Sequence, residues 1–404
     1  MLTLQPASRP QHYRRPRIAI ALAGGGPLGA FYELGALQAL AECVDGLDLT
    51  ALDTYVGVSS GALIAASLAN GLTPADMGVL LIENGSTEHP LTPGLFLQPA
   101  LAEFASRLKG APALIAAVVR QYLDSPRPGA WAAAAEPLGR LLPTGLFDNA
   151  PFERYLRRMY SEGGRSNDFR TLAKRLYVIA TDLDGGSEVR FGAPGQDSIP
   201  ISKAIQASTA LPGLYPPVRI GTRTYVDGAL LRTMHASVAL EQHASLVLCV
   251  NPLVPYDAYA ASSASPRQML TEGGLPLVMS QTFRALIRSR MQIGMNSYRR
   301  SYPRADMLLL EPDRSDGEMF FVNIFKYSDR RRLVEHCYAR TRADLARHAK
   351  QLAPLLARHG LRLRREVLND PERSFRSAMA LRRRRLGPPL GRLEAALDRL
   401  DALT

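Results

Sequence analysis

The stretch that most constrains this chain is Thr54-Tyr55-Val56-Gly57-Val58-Ser59-Ser60-Gly61-Ala62-Leu63. An apolar run of strand character ends in Gly57-x-Ser59-x-Gly61, and small residues at helical spacing follow at once: Ala62, Ala65, Ala66 and Ala69. A serine between a strand and a helix, with glycine two residues away on each side, is the sequence context of a nucleophile elbow. The turn is so sharp that a side chain at either flanking position would collide with the backbone, and glycine removes that obstacle. A helix starting just after the serine aims N–H groups and its positive dipole end at the hydroxyl. The same pattern also fits a plain Gly/Ser turn in an α/β sheet, so its meaning depends on what else the chain supplies.

An apolar run at residues 17–23 reads as a strand buried on both faces. It enters Gly24-Gly25-Gly26-Pro27-Leu28-Gly29, and Ala30, Leu34, Leu37 and Leu40 then recur at helical spacing. Gly24-x-Gly26-x-x-Gly29 between strand and helix matches a dinucleotide-binding fingerprint, which also needs an acidic residue at the end of the second strand. Here that strand ends in Val58-Ser59. The other use of such a loop is to hold an oxyanion with backbone N–H groups. The basic residues before Ile18 imitate a signal peptide, but the apolar run is too short and reads as the first core strand.

Further buried strands are expected at 176–181, 188–191, 245–250 and 306–310. Asp182 reads as a turn or structural carboxylate. A short helix precedes Pro212-Gly213, and Arg223-Thr224-Tyr225-Val226-Asp227-Gly228-Ala229 sets a carboxylate at the end of a β run. Residues 146–160 read as a helix capped by Asp148 or Asn149. Residues 72–150 otherwise mix prolines with apolar segments and hold Trp131, the single tryptophan. They read as helices over the sheet or as an apolar cap that touches lipid. Residues 256–280 read as a loop and 280–300 as a helix.

Charge separates the chain into two textures. The formal net charge of the 404 residues is +12. Residues 329–404 carry 19 basic against 9 acidic residues, densest at Arg382-Arg383-Arg384-Arg385. Such a helical segment is either a solvated face or an attachment to anionic lipid. Nucleic acid fits less well, since basic and aromatic residues are not interleaved and no DNA- or RNA-binding motif occurs. Cys43, Cys249 and Cys337 are far apart, which suits neither a metal site nor a disulfide framework and suggests a reducing, cytoplasmic setting. No apolar run is long enough to span a bilayer.

Together the glycine segment 24–29, Gly57-Val58-Ser59-Ser60-Gly61, Ala180-Thr181-Asp182-Leu183, and Ala207-Ser208-Thr209-Ala210-Leu211-Pro212-Gly213 through Asp227-Gly228-Ala229 resemble the patatin-like phospholipase family, in order and separation, over about residues 17–310. The resemblance implies a three-layer α/β/α fold with a largely parallel central sheet. It implies a serine hydrolase of lipid carboxylic esters that uses a Ser–Asp dyad and no cofactor or metal. Ser59 would be the nucleophile and Asp227 its base. Gly24, Gly25 and Gly26 would form the oxyanion hole, with Gly29, Gly57, Gly61 and Gly228 in support.

Leu28 stands where that family commonly carries Arg or Lys. The order Ser59…Asp227…His235 also copies the triad order of α/β-hydrolases, although His235 reads better as a surface or helix-start histidine. Acyl transfer to an alcohol, and a non-catalytic lipid-binding scaffold, use the same residues. The expected organisation is a loose tail at 1–16, an acyl hydrolase domain at 17–328 with a helical insertion at 72–150, and a basic helical extension at 329–404. That extension would attach the protein peripherally to an anionic membrane surface.

Overall fold

The computed structural model describes residues 1–82, 93–124, 141–232, 234–260, 270–321 and 327–386. Trp131 and the basic residues beyond 386 lie outside the described residues, as do the side chains of the Arg382–Arg385 cluster.

The first half of the chain contributes β1 (Leu2–Gln5), β2 (Ile18–Leu22), α1 (Gly26–Cys43), β3 (Val44–Asp45), β4 (Thr54–Val58), α2 (Ser60–Ala69), α3 (Pro74–Leu81), α4 (Leu101–Asp124), α5 (Ala150–Ser161), β5 (Arg175–Asp182) and β6 (Ser187–Phe191). The second half contributes α6 (Ile201–Ser208), β7 (Val218–Ile220), β8 (Arg223–Asp227), α7 (Ala236–Glu241), β9 (Leu246–Val250), α8 (Gly274–Ser301), β10 (Asp306–Leu310), α9 (Glu318–Phe321), α10 (Tyr327–Arg347), α11 (Ala349–Ala357), β11 (Arg362–Leu363), α12 (Arg365–Leu368) and α13 (Phe375–Leu386). The main sheet runs β1-β10-β9-β2-β4-β5-β8-β7, with β6 against β5. From β10 to β5 the pairings are all parallel.

Strand parity divides the core. Ile20, Leu22, Tyr55, Val178 and Leu248 face one apolar layer, which α1, α2, α5 and α10 complete. Ala19, Ala21, Val56, Ile179 and Val247 face the other, closed by α7 and by Met291, Met295 and Tyr298 of α8. Continuous apolar strands make sense only in a sheet covered on both faces, so the molecule has three layers, α/β/α.

The topology at β5 prepares the site. β4 pairs in parallel with β5 as far as Val58↔Ile179, and β8 pairs antiparallel with β5 from Ala180↔Asp227 onward. β6 occupies the opposite edge along Val178–Asp182. Thus β4 and β8 meet end to end along one edge of β5, and the residues that leave their facing ends, Ser59 and Asp227, come together.

Both termini depart from the sequence expectation. The first residues are not loose: β1 pairs antiparallel with β10, Leu2 is buried, and Ala7 N–H donates to Asp306. Residues 329–386 form no separate tail. Leu333, Val334, Tyr338, Leu345, Leu355 and Phe375 belong to the same core cluster as the sheet, each contributing about 1.5–3 kcal/mol by burial. A Cβ on Gly35 of α1 would lie 2.6 Å from Val334 O and 2.7 Å from Cys337 Cβ. That glycine is what lets α10 approach α1 so closely. Many C-terminal arginines serve this packing. Arg358 pairs with Asp306 at 2.6 Å, and Arg342 donates to the carbonyls of Val367, Leu368, Asp370 and Arg373. The expected loop at 256–280 is shorter on its far side, because α8 begins at Gly274.

Candidate active site

Ser59 joins β4 to α2 with φ 53° and ψ −123°, a left-handed value that side chains rarely adopt. Such a conformation costs about 1–3 kcal/mol and persists only where its surroundings enforce it. Here they do. A Cβ on Gly57 would stand 2.4 Å from Gly61 O, and one on Gly61 would stand 2.6 Å from Leu22 O and from Ala23 O. The Ser59 N–H donates to Ser208 Oγ at 2.8 Å, and Ser208 Oγ donates to Ile179 O at 2.5 Å. Ser208, the last residue of α6, therefore ties the turn to β5.

The Ser59 hydroxyl donates to Asp227 Oδ2 at 2.7 Å. The other carboxylate oxygen, Oδ1, accepts from Ala229 N–H at 2.8 Å. Asp227 is held by its backbone as well: its N–H donates to Ala210 O and its carbonyl accepts from Thr181 Oγ1. A Cβ on Gly228 would strike Ile179 O at 2.4 Å, so the chain can turn there only with glycine. Burial pushes the Asp227 carboxyl up to about 6, and the hydrogen bonds from Ala229 and Ser59 offset part of that rise.

Gly24 lies against Ser59, and Gly25 and Gly26 line the same cavity as Ser59 and Asp227. A Cβ on Gly24 would lie 3.0 Å from Ser59 Cβ and 3.7 Å from its Oγ; on Gly25 it would enter Pro252 at 2.6 Å. Gly26 has φ +61°. Gly29 faces Pro252 and Ser60 Oγ. α2 begins at the residue after Ser59, and α1 begins at Gly26 on the wall of the same cavity; helix N-termini favour negative charge. Among the described residues no group of His, Cys, Asp and Glu could hold a metal ion.

His235 does not complete a triad in this arrangement. It is buried at the start of α7, and its Nδ1 lies 3.1 Å from Glu188 Oε2 without hydrogen-bond alignment. Both Asp227 oxygens are already engaged. Asp182 caps a turn through Gly185 N–H and pairs with Arg223, which together hold its carboxyl low.

A cavity of about 820 Å³ opens over Ser59 and Asp227, walled by Leu63, Phe96, Phe152, Leu230 and Met279 among others. Arg284 of α8 lines it and is largely desolvated, which brings its guanidinium down to about 10. Its contacts are weak ones: Val254 O at 3.3 Å, Ser280 Oγ at 3.4 Å and the face of Phe320 at 4.7 Å. Among the described residues no carboxylate pairs with it. Sequence reading missed both Arg284 and Ser208. Ser208 lies inside a quoted motif whose serine has no role until α6 is seen against β4. Arg284 looks like any arginine on a helix.

A family model described as patatin-like phospholipase matches residues 20–240. An uncharacterized NTE family protein of Mycobacterium bovis is 24% identical over 346 residues, covering 82% of this chain and 48% of that protein. A counterpart of Mycobacterium tuberculosis gives the same figures. The chain spans about half the length of the curated relatives it matches. Among solved structures, VipD from Legionella pneumophila is 16% identical, covers 87% of this chain and 80% of its own, and superposes with a TM-score of 0.34. The type III effector protein ExoU is 17% identical, with 86% and 66% covered and a TM-score of 0.29.

Proposed function

This chain belongs to the patatin-like phospholipase family, and from that premise we propose that it is a serine lipid acyl hydrolase in which Ser59 is the nucleophile and Asp227 its base. The observation that carries the reading is the 2.7 Å hydrogen bond from a strained, helix-tipped serine to a buried carboxylate. A carboxylate of ordinary pKa is a weak base for serine; raising it to about 6 makes it stronger while leaving it ionised at neutral pH.

In the acylation step Asp227 accepts the hydroxyl proton while Ser59 Oγ bonds to the ester carbonyl carbon. The oxyanion is held by N–H groups of the Gly24–Gly26 loop. Collapse breaks the ester C–O bond, and Asp227 returns the proton to the departing alcohol. Water then gives its proton to Asp227 and attacks the acyl-enzyme, and collapse restores Ser59 with that proton. The apolar cavity wall suits an acyl chain. The desolvated Arg284, which no carboxylate pairs among the described residues, supports a phosphate-bearing ester, because an anion there would relieve a costly charge.

Hydrolysis of a soluble short-chain ester tests the roles. Ser59→Ala and Asp227→Asn are expected to lose at least about a thousandfold in kcat/KM, and His235→Ala to retain activity if it folds. Arg284→Met is expected to raise KM for a lysophospholipid and not for a monoacylglycerol. Activity surviving in Ser59→Ala would refute the mechanism.

A further inference from the structure

Helix α8 exposes large apolar residues on the side that faces out. Its inner face gives Met291, Met295 and Tyr298 to the core. Its outer face carries Leu275, Met279, Leu286 and Ile293, which fall within about 40° of one another around the helix and extend for about 27 Å. Leu275 is 73% exposed, Leu286 58% and Ile293 68%. A surface helix normally turns polar residues to water. This one sets large apolar residues there among neutral polar ones, and its charged residues share one sign. The helix Gly274–Ser301 contains five arginines and no acidic residue. Exposed Arg290 and Arg300 border the apolar stripe on either side.

The stripe is continuous with the cavity. Leu275, Met279, Leu286 and Arg290 belong to both the outer surface and the cavity wall. Across the mouth, Leu211 and Leu214 are also exposed and also line the cavity. Residues 145–147 bond to 213–214 beside them, and from there α4 departs with Leu101, Leu108 and Ile115 exposed at seven-residue spacing. An apolar rim around the cavity, edged by arginine and free of acid along its longest element, is complementary to a surface that is apolar within and anionic at its boundary.

We infer that the outer face of α8, together with the Leu211–Leu214 rim, docks this protein on an anionic lipid bilayer with the cavity mouth against the lipid. The inference rests on the lipid acyl hydrolase reading for its purpose, but docking itself is separable from chemistry. Apolar side chains enter the headgroup boundary while Arg300 reaches lipid phosphates, as do the donors Arg290 keeps beyond its 3.2 Å bonds to the Leu230 and Leu231 carbonyls. The cavity then takes an acyl ester without passing it through water. This places the membrane contact on α8 and away from the C-terminal helices, several of whose arginines are engaged in internal packing.

Flotation of the full chain with vesicles of phosphatidylcholine, alone or mixed with phosphatidylglycerol, tests it. The wild type and Ser59→Ala are expected to float with the mixed vesicles, so a failure of the hydrolytic mechanism would leave docking measurable. The double variant Ile293→Glu, Arg300→Glu, at positions that do not line the cavity, is expected to lose roughly tenfold or more in partitioning. It should keep the melting temperature and the short-chain ester activity. Flotation of this variant equal to wild type would overturn the inference. So would loss of flotation only when Arg382–Arg385 are reversed in charge. A wild-type dimer that the double variant dissociates, with vesicle binding unchanged, would assign the face to a second copy and also overturn it.

Discussion

At the scale of single residues, the proposed role of Asp227 as a base sets activity against stability. Its carboxyl titrates near 6 when folded and near 3.8 when unfolded. Between those values the native state holds a proton that the unfolded state has lost, so stability falls as pH rises from about 4 to 6 and is level above. At pH 7 the ionised, buried group costs on the order of 3 kcal/mol. Asp227→Asn is therefore expected to melt a few degrees higher than wild type at pH 8 and to lose that advantage by pH 4, as scanning calorimetry at the two pH values would read. An equal shift at both would show that the carboxylate is not destabilised by burial. The proposed dyad was legible in sequence because each member sits in a local pattern that glycine makes necessary: Gly57 and Gly61 around Ser59, Gly228 after Asp227. Ser208 and Arg284 were not legible, since Ser208 acts entirely and Arg284 mostly through contacts with residues more than twenty positions away, and neither breaks a local rule.

At the scale of elements, the central strands were readable but β1 was not, and the C-terminal segment was readable as helical but not as part of the core. Runs such as Tyr177-Val178-Ile179-Ala180 are apolar without alternation, and only a doubly covered sheet accommodates them. The C-terminal helices carry so many arginines that composition suggests a free, solvated face. What composition hides is where those charges end: Arg358 on Asp306, Arg364 on Asp45, Arg342 on four carbonyls. The glycines that seat these helices are equally silent in sequence. Gly35 lies against the backbone of α10, and a Cβ on Gly78 of α3 would stand 2.7 Å from the ring of Phe375 in α13. Gly35→Val should force α10 outward and cost roughly 1–3 kcal/mol or more, read as a lower midpoint in urea. Gly71→Ala tests a different element of cost, strain at φ +82° with open space around it. An unchanged midpoint for Gly35→Val would mean that the helices repack at no cost.

At the scale of the whole molecule, the two ends of the chain close the fold over one buried cluster. Asp306, at the start of β10, accepts from Ala7 N–H, Arg358 and His359 Nε2. Burial alone would raise its carboxyl, but the His359 and Arg358 hydrogen bonds hold it below the ordinary value. His359 stacks on Tyr13. Removing residues 329–404 is thus expected to abolish cooperative unfolding, followed by circular dichroism, rather than to yield an active shortened enzyme. A sharp melt of the shortened chain would contradict this. The end-to-end meeting of β4 and β8 along β5 has a consequence for control. Ser59 and Asp227 follow neighbouring rungs of one strand, so their separation is a lattice spacing of the sheet and no hinge lies between them. A pair fixed in that way is held together by the sheet itself. Under the proposed mechanism, turnover would then be set by what reaches the mouth, and the rate would become a measure of time spent at the lipid.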